Sequence, residues 1–202
     1  MQYPNFNEEK KLWQKGFKSV AGLDEAGRGP LAGPVVAAAV VIKCDLKNLP
    51  KGINDSKKLS EEKRNYFYKI LLENKDIKWG VGIVSEIIID KINILQATKL
   101  AMQNALENLD ADFLLLDGNF KINSHINQKS IIKGDQKVIS ISAASIIAKV
   151  TRDKIMSDYD KKYPQYGFKK HKGYGTKLHR QNIKKFGKCK IHRKSFMVKG
   201  CG

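Results

Sequence analysis

The stretch from Val20 to Ile42 constrains the fold more than any other part of the chain. Val20-Ala21-Gly22-Leu23 is apolar, and Leu31 to Ile42 contains no charged residue. These runs predict two buried strands, over Val20–Glu25 and Val35–Ile42. Between them stand Asp24 and Glu25, followed by Gly27-Arg28-Gly29-Pro30. A carboxylate pair between two buried segments costs free energy unless a cation or hydrogen-bond donors satisfy it. Two carboxylates hold a hard divalent cation through oxygen. Glycines around an arginine bring backbone N–H groups and a positive charge up to a phosphate or sugar. Together these features point to phosphodiester chemistry. Adjacent strand residues face opposite ways, so Asp24 and Glu25 share one site only if the strand ends or bulges there.

The rest of the chain alternates strands with helices. Lys78–Val84 reads as a third strand, and Ser60 as the N-cap of a helix running to Asn74 with Glu61 and Glu62 in its first turn. Tyr66, Phe67, Ile70 and Leu71 form that helix's apolar stripe. A second helix covers Ile92–Leu109, with a seam of Leu95, Met102, Leu106 and Leu109. Asp112–Gly118 is a short buried strand ending in an acid and a glycine. Ser130–Asp135 repeats that shape, and Ile122–Lys129 before it reads as a loop. A third helix covers Ser140–Tyr159, with Ala143, Ile146, Ile147 and Val150 on one face. The last forty residues read as short helices and loops against the sheet. The class is α/β with a mixed sheet. At 202 residues the chain is long enough for one domain with a proper core, spanning 1–202.

Net charge is +18, which predicts attraction to a polyanion. From Lys161 onward there are 14 Lys or Arg and no Asp or Glu. Tyr163, Tyr166, Phe168, Tyr174, Phe186 and Phe196 are interleaved with them. Basic residues track phosphates, and aromatic faces stack on sugars or bases. No apolar run reaches the ~18 residues of a membrane span, and Met1–Lys18 is too polar for a secretory signal. Cys44, Cys189 and Cys201 share no metal-type spacing, and no histidine pairs with them in sequence. They read as reduced thiols of a cytoplasmic protein. His125, His171, His179 and His192 read as surface or backbone-contacting groups.

Acids thus end separate strands: Asp24 and Glu25 on the first, Asp117 on another, Asp135 after a fourth. Neighbouring strands bring such ends together around one or two cations. A two-metal site activates a water and stabilises the leaving oxygen in phosphoryl transfer, and Mg²⁺ suits it. Asp153 competes with Asp135, because it follows Val150 by three residues; its alternative partners are Arg152 and Lys149.

These blocks resemble bacterial ribonuclease HII. The resemblance is carried by Ala21–Val41, Ile53–Leu59, Leu115–Gly118, Lys133–Gln136 with Ala143–Asp153, and Tyr163–Phe168 with His171–Thr176. It spans nearly the whole chain in order. It implies a ribonuclease H-like fold: a mixed five-stranded sheet flanked by helices, with a small C-terminal helical part at about 161–202. It implies Mg²⁺- or Mn²⁺-dependent hydrolysis of the RNA strand of RNA/DNA hybrids. It also implies incision 5′ to single ribonucleotides in duplex DNA, leaving 3′-hydroxyl and 5′-phosphate ends. The implied metal-site acids are Asp24, Glu25, Asp117 and Asp135. Gly27, Arg28 and Gly29 are implied to read the 2′-hydroxyl, supported by Tyr174. Asn54, Ser56 and Lys57 are implied to contact the backbone near the cut. A monomer is expected.

Two other classes are weighed against this. A non-catalytic RNA-binding module fits the basic tail but leaves the apolar-flanked acids unexplained, since acids repel phosphate without a metal. Another nuclease or strand-transfer enzyme on the same fold differs by accepting an all-DNA duplex. The glycine loop lacks the Gly-Lys-Ser/Thr ending of a nucleotide-binding loop, and its acids stand where a dinucleotide-binding fold has none.

Overall fold

In a computed structural model, residues 3–43, 49–50 and 52–197 are described. Cys44 and Cys201 lie outside them. Helix α1 (Asn7–Gln14) precedes strands β1 (Val20–Ala26) and β2 (Val35–Ile42). Helix α2 (Glu61–Glu73), strand β3 (Ile77–Val84) and helix α3 (Glu86–Leu106) follow. Strands β4 (Phe113–Asp117) and β5 (Asn127–Ile131) lead to helices α4 (Ile139–Lys162), α5 (Phe168–His171) and α6 (Lys177–Phe186).

The five strands form one mixed sheet in the order β3-β2-β1-β4-β5. β1 pairs antiparallel with β2 and parallel with β4. β2 is buried along its whole length, because α3 covers one sheet face and α4 with α2 the other. Burying each of its valines and Ile42 contributes about 1.5–3 kcal/mol. Ala37, Ala38 and Ala39 keep both faces shallow enough for close packing. Glycines do the same where backbones meet. A Cβ on Gly22 would stand 2.3 Å from the Ser140 carbonyl carbon of α4, and one on Gly82 would stand 2.0 Å from the Ala101 carbonyl oxygen of α3.

Three expectations need correction. Of the seam predicted for α3, Met102, Leu106 and Leu109 pack on the core while Leu95 is exposed, and Ala97, Thr98, Ala101 and Ala105 line the face beside them. Small residues win there because the helix lies directly on Gly80 and Gly82. The helix also starts earlier, at Glu86, and kinks at Asn93 (φ 66°), whose side chain accepts from the N–H groups of Leu95 and Gln96 and caps the second segment. On α2, Ser60 caps as expected by accepting from Lys63 N–H, but Tyr66 is exposed. Finally, β5 begins inside the presumed loop and ends at Ile131. Lys133 is left-handed (φ 56°), and Asp135 rides on a 3₁₀ turn, Gly134–Gln136, rather than on a strand.

Candidate active site

β1 runs through Asp24 and Glu25 to Ala26 without a bulge, in constant register with β2. On its other side, pairing with β4 stops at Leu23↔Leu116. The end of β1 is therefore unpaired toward β4. Asp24 shares a sheet face with Gly22, the face against α4, and the period-2 alternation sends Glu25 to the opposite face. Carboxylate oxygens of Asp24, Asp117 and Asp135 lie within 4.8 Å of one another. Glu25 is outside that cluster. It stands near enough to act on it: the charge of Glu25 raises Asp24, and the charge of Asp117 raises Glu25.

Each acid is held in place. Asp24 Oδ1 accepts from Glu25 N–H at 2.7 Å. Asp117 Oδ1 accepts from Gly134 N–H at 2.7 Å, which ties the 3₁₀ turn carrying Asp135 to the end of β4. Asp153 is elsewhere: it pairs with Lys149 at 2.8 Å and Arg64 at 3.5 Å. Arg152, its other expected partner, instead donates to the carbonyls of Pro34, Lys172 and Ala32.

The cluster lacks positive charge. Burial, then the charges of Glu25 and Asp117, push the Asp24 carboxyl well above the usual carboxylate range. Burial also raises Glu25, with Arg28 opposing, and Glu25 Oε2 is buried without a partner among the described residues. Asp135 is pushed up to about 6 by burial and by Asp117 and Asp55. An all-carboxylate, mutually repelling oxygen set fits a hard divalent cation. Lys57 supplies part of the missing charge: burial would lower its ammonium, but Asp24, Asp55, Asp135 and Asp117 together hold it above the ordinary lysine value.

The 54–57 segment is placed by Asp55, which sequence reasoning passed over. Asp55 is buried, accepts from Lys57 N–H at 2.8 Å and from Gln136 Nε2 at 3.3 Å, and links this loop to the Asp135 turn. Its signal was an acid two residues before the lysine, an Asx-turn spacing. Asn54 Oδ1 accepts from Asp55 N–H, and Lys57 is exposed. Ser56 is buried; its hydroxyl accepts from Ser145 of α4. Its side chain therefore anchors the loop rather than facing a ligand.

Gly27 is left-handed (φ 103°) and packed on Arg152, where a Cβ would meet Nε at 2.2 Å. Arg28 and Gly29 are exposed, and Arg28 Nη1 lies 3.5 Å from Glu25 Oε1. A Cβ on Gly29 would lie 3.8 Å from the ring of Tyr174, itself 43% exposed. The glycine loop and the tyrosine thus form one exposed surface beside the acids. The histidines contact backbone or solvent as expected: His171 meets Tyr166 O, His179 meets Tyr174 O and His192 meets Cys189 N. His171, His179 and His192 are buried, and Cys189 Sγ lies 3.1 Å from His192 Nδ1; His125 alone among the four is exposed.

A family described as Ribonuclease HII matches residues 21–199. A ribonuclease HII of Acetivibrio thermocellus is 55% identical over 190 residues, covering 93% of this chain and 73% of its own. Among solved structures, ribonuclease H2 from Pyrococcus horikoshii aligns with a TM-score of 0.71 at 28% identity, covering 89% of this chain and 94% of that one. The RNase HII of Archaeoglobus fulgidus, solved in complex with PCNA, aligns with a TM-score of 0.76 at 26% identity, covering 89% and 96%.

Proposed function

The chain belongs to the ribonuclease HII family of metal-dependent ribonucleases acting on RNA/DNA hybrids, and from its resemblance to that family we propose that it also incises duplex DNA 5′ to single embedded ribonucleotides. The products are 3′-hydroxyl and 5′-phosphate ends. The observation that carries this reading is the gathering of Asp24, Asp117 and Asp135 within 4.8 Å, beside an exposed glycine loop.

Asp24, Asp117 and Asp135 would hold the cations, Mg²⁺ or Mn²⁺, with Glu25, whose charge acts on Asp24, completing the acidic set. Two such ions, when bound, supply an activated water and neutralise the charge that develops on the leaving oxygen. Lys57 and Asn54 meet the phosphate backbone near the cut, on a loop that Asp55 and Ser56 anchor. The amides of Gly27 and Gly29, with Arg28, read the 2′-hydroxyl and neighbouring phosphates. That hydroxyl is the group that separates RNA from DNA at one position, and main-chain donors read it whatever the base. Tyr174, against Gly29, packs on the adjacent sugar. The protein acts as a monomeric single domain in the cytoplasm; no helix among the described residues is long and apolar enough to cross a membrane.

The test is a labelled duplex holding one ribonucleotide, incubated with Mg²⁺ or with EDTA, beside an all-DNA duplex. The expected result is one nick, only in the ribonucleotide duplex and only with Mg²⁺. Cutting of the all-DNA duplex, or incision that survives EDTA, overturns the reading. Tyr174→Ala is expected to impair this incision.

A further inference from the structure

The C-terminal segment folds back onto the glycine loop. Ala32 and His192 form an antiparallel bridge, Gly33 N–H donates to Ile191 O, and Arg193 N–H donates to Leu31 O. Two consecutive buried side chains there reach the two halves of the proposed 2′-hydroxyl reader.

Arg193 is fully buried, and its donors go to backbone carbonyls. Nη1 donates to Arg28 O at 3.0 Å, and Nη2 donates to Gly27 O at 2.6 Å and Gly33 O at 2.8 Å. One planar fork thus holds the carbonyls on both sides of the loop. A point-like ammonium does not reproduce that pattern.

His192 reaches the other half through His179. His192 Nδ1 lies 2.9 Å from Cys189 N, 3.1 Å from its Sγ and 3.3 Å from its carbonyl oxygen, so it is the far end of the chain, at the Tyr174 carbonyl, that places the His192 proton on Nε2. His192 Nε2 lies 3.0 Å from His179 Nε2. His179 Nδ1 lies 2.9 Å from the Tyr174 carbonyl, which only accepts. That backbone acceptor leaves one proton arrangement for two neutral rings. The chain runs Cys189 N–H to His192, His192 to His179, and His179 to Tyr174 O. The ring of Tyr174 is exposed, with the Arg152 guanidinium 6.0 Å from its centre, and its backbone is held by His179 together with Thr176 N–H at 2.8 Å and His171 O at 2.9 Å.

We propose that His192-Arg193 is a positioning element for substrate recognition. Arg193 sets the Gly27, Arg28 and Gly33 carbonyls, and His192, through His179, sets Tyr174 against Gly29. Both elements of the reader are thereby aligned by one dipeptide more than 160 residues downstream of the loop. The inference rests on the proposed role of Tyr174.

The experiment measures kcat/KM on a one-ribonucleotide duplex and on a uniform RNA/DNA hybrid, with the unfolding midpoint of every variant. His192→Asn breaks the link to His179. His192→Gln carries an amide N–H about where Nε2 stands. His192→Asn is expected to lower kcat/KM on the one-ribonucleotide duplex about tenfold and on the uniform hybrid less than about threefold, because a hybrid presents a 2′-hydroxyl in every register. His192→Gln restores much of the loss. In a Tyr174→Ala background, His192→Asn adds less than about twofold, since both act through one group. Arg193→Lys shows the same substrate-selective loss. Equal losses on both substrates that track the unfolding midpoint, or a His192→Asn effect that multiplies in full with Tyr174→Ala, overturn the proposal. If Tyr174→Ala alone leaves one-ribonucleotide cutting unchanged, the reading of Tyr174 itself fails, and the proposal with it. Should Arg193→Lys not fold, the His192 series decides.

Discussion

At the scale of single residues, Asp24 is costly for stability and needed for the chemistry proposed. It is buried, and its carboxyl is raised by burial and by Glu25 and Asp117. An acid whose folded pKa lies above its unfolded one destabilises the protein at neutral pH, where the ionised form is forced into the folded state. Asp24→Asn keeps an oxygen to accept the Glu25 N–H and removes the charge. The variant is therefore expected to melt a few degrees higher than wild type in EDTA while losing cleavage; calorimetry and a nicking assay read both. A lower midpoint contradicts the view that repulsion dominates there. Asp24, Asp117 and Asp135 were legible in the sequence because each acid sits at the end of an apolar run or beside a glycine. Glu25 was legible as an acid beside Asp24, and only the register of β1 against β2 shows that no bulge intervenes between them. Asp55 was hidden among residues judged by solvent contact, although its work is to join two loops.

At the scale of elements, strand runs such as Val35–Ile42 were readable because both faces are covered and every position is apolar. The α3 face was readable at Met102, Leu106 and Leu109 but not at its alanines. Large residues at helical spacing suggested a seam, but Gly80 and Gly82 on β3 select alanines opposite them. Gly82→Ala places a Cβ 2.0 Å from Ala101 O, so α3 must lift; a loss of about 2–4 kcal/mol is expected in denaturant unfolding. Unchanged stability would mean that α3 shifts freely. The C-terminal elements carry the buried histidines, which sequence spacing could not gather because their partners are carbonyls and one another. His179 and His192 are each pushed down to about 4, by burial first. With an unfolded value near 6.5, these rings stay neutral in the folded protein as the unfolded chain takes up protons. Their contribution is complete above about pH 6.5 and is lost as pH falls toward 4. Nitrogen NMR of the rings at pH 5 is expected to show both neutral; a protonated ring there contradicts the buried chain.

For the molecule as a whole, the charge of +18 and the 14 basic residues from Lys161 onward surround a site built from acids. The two occupy different places: the acids lie at the end of β1, and the basic C-terminal part folds against the glycine loop through Leu31, Gly33 and Arg193. On the proposed function, long-range attraction comes from the basic surface and selectivity from the loop. Duplex affinity is expected to fall about a thousandfold between 50 and 200 mM salt, as for a protein with several phosphate contacts, while the cut position stays the same. A flat salt response in a filter-binding titration would remove the basic surface from the account. The central claim is that Asp24, Asp117 and Asp135 form one divalent-cation site and that Asp153 does not belong to it. Mn²⁺ titration followed by electron paramagnetic resonance tests this most directly, on wild type, Asp24→Asn and Asp153→Asn. The account predicts that wild type and Asp153→Asn bind Mn²⁺ alike and that Asp24→Asn loses binding; undiminished binding by Asp24→Asn, or its loss in Asp153→Asn, would contradict it.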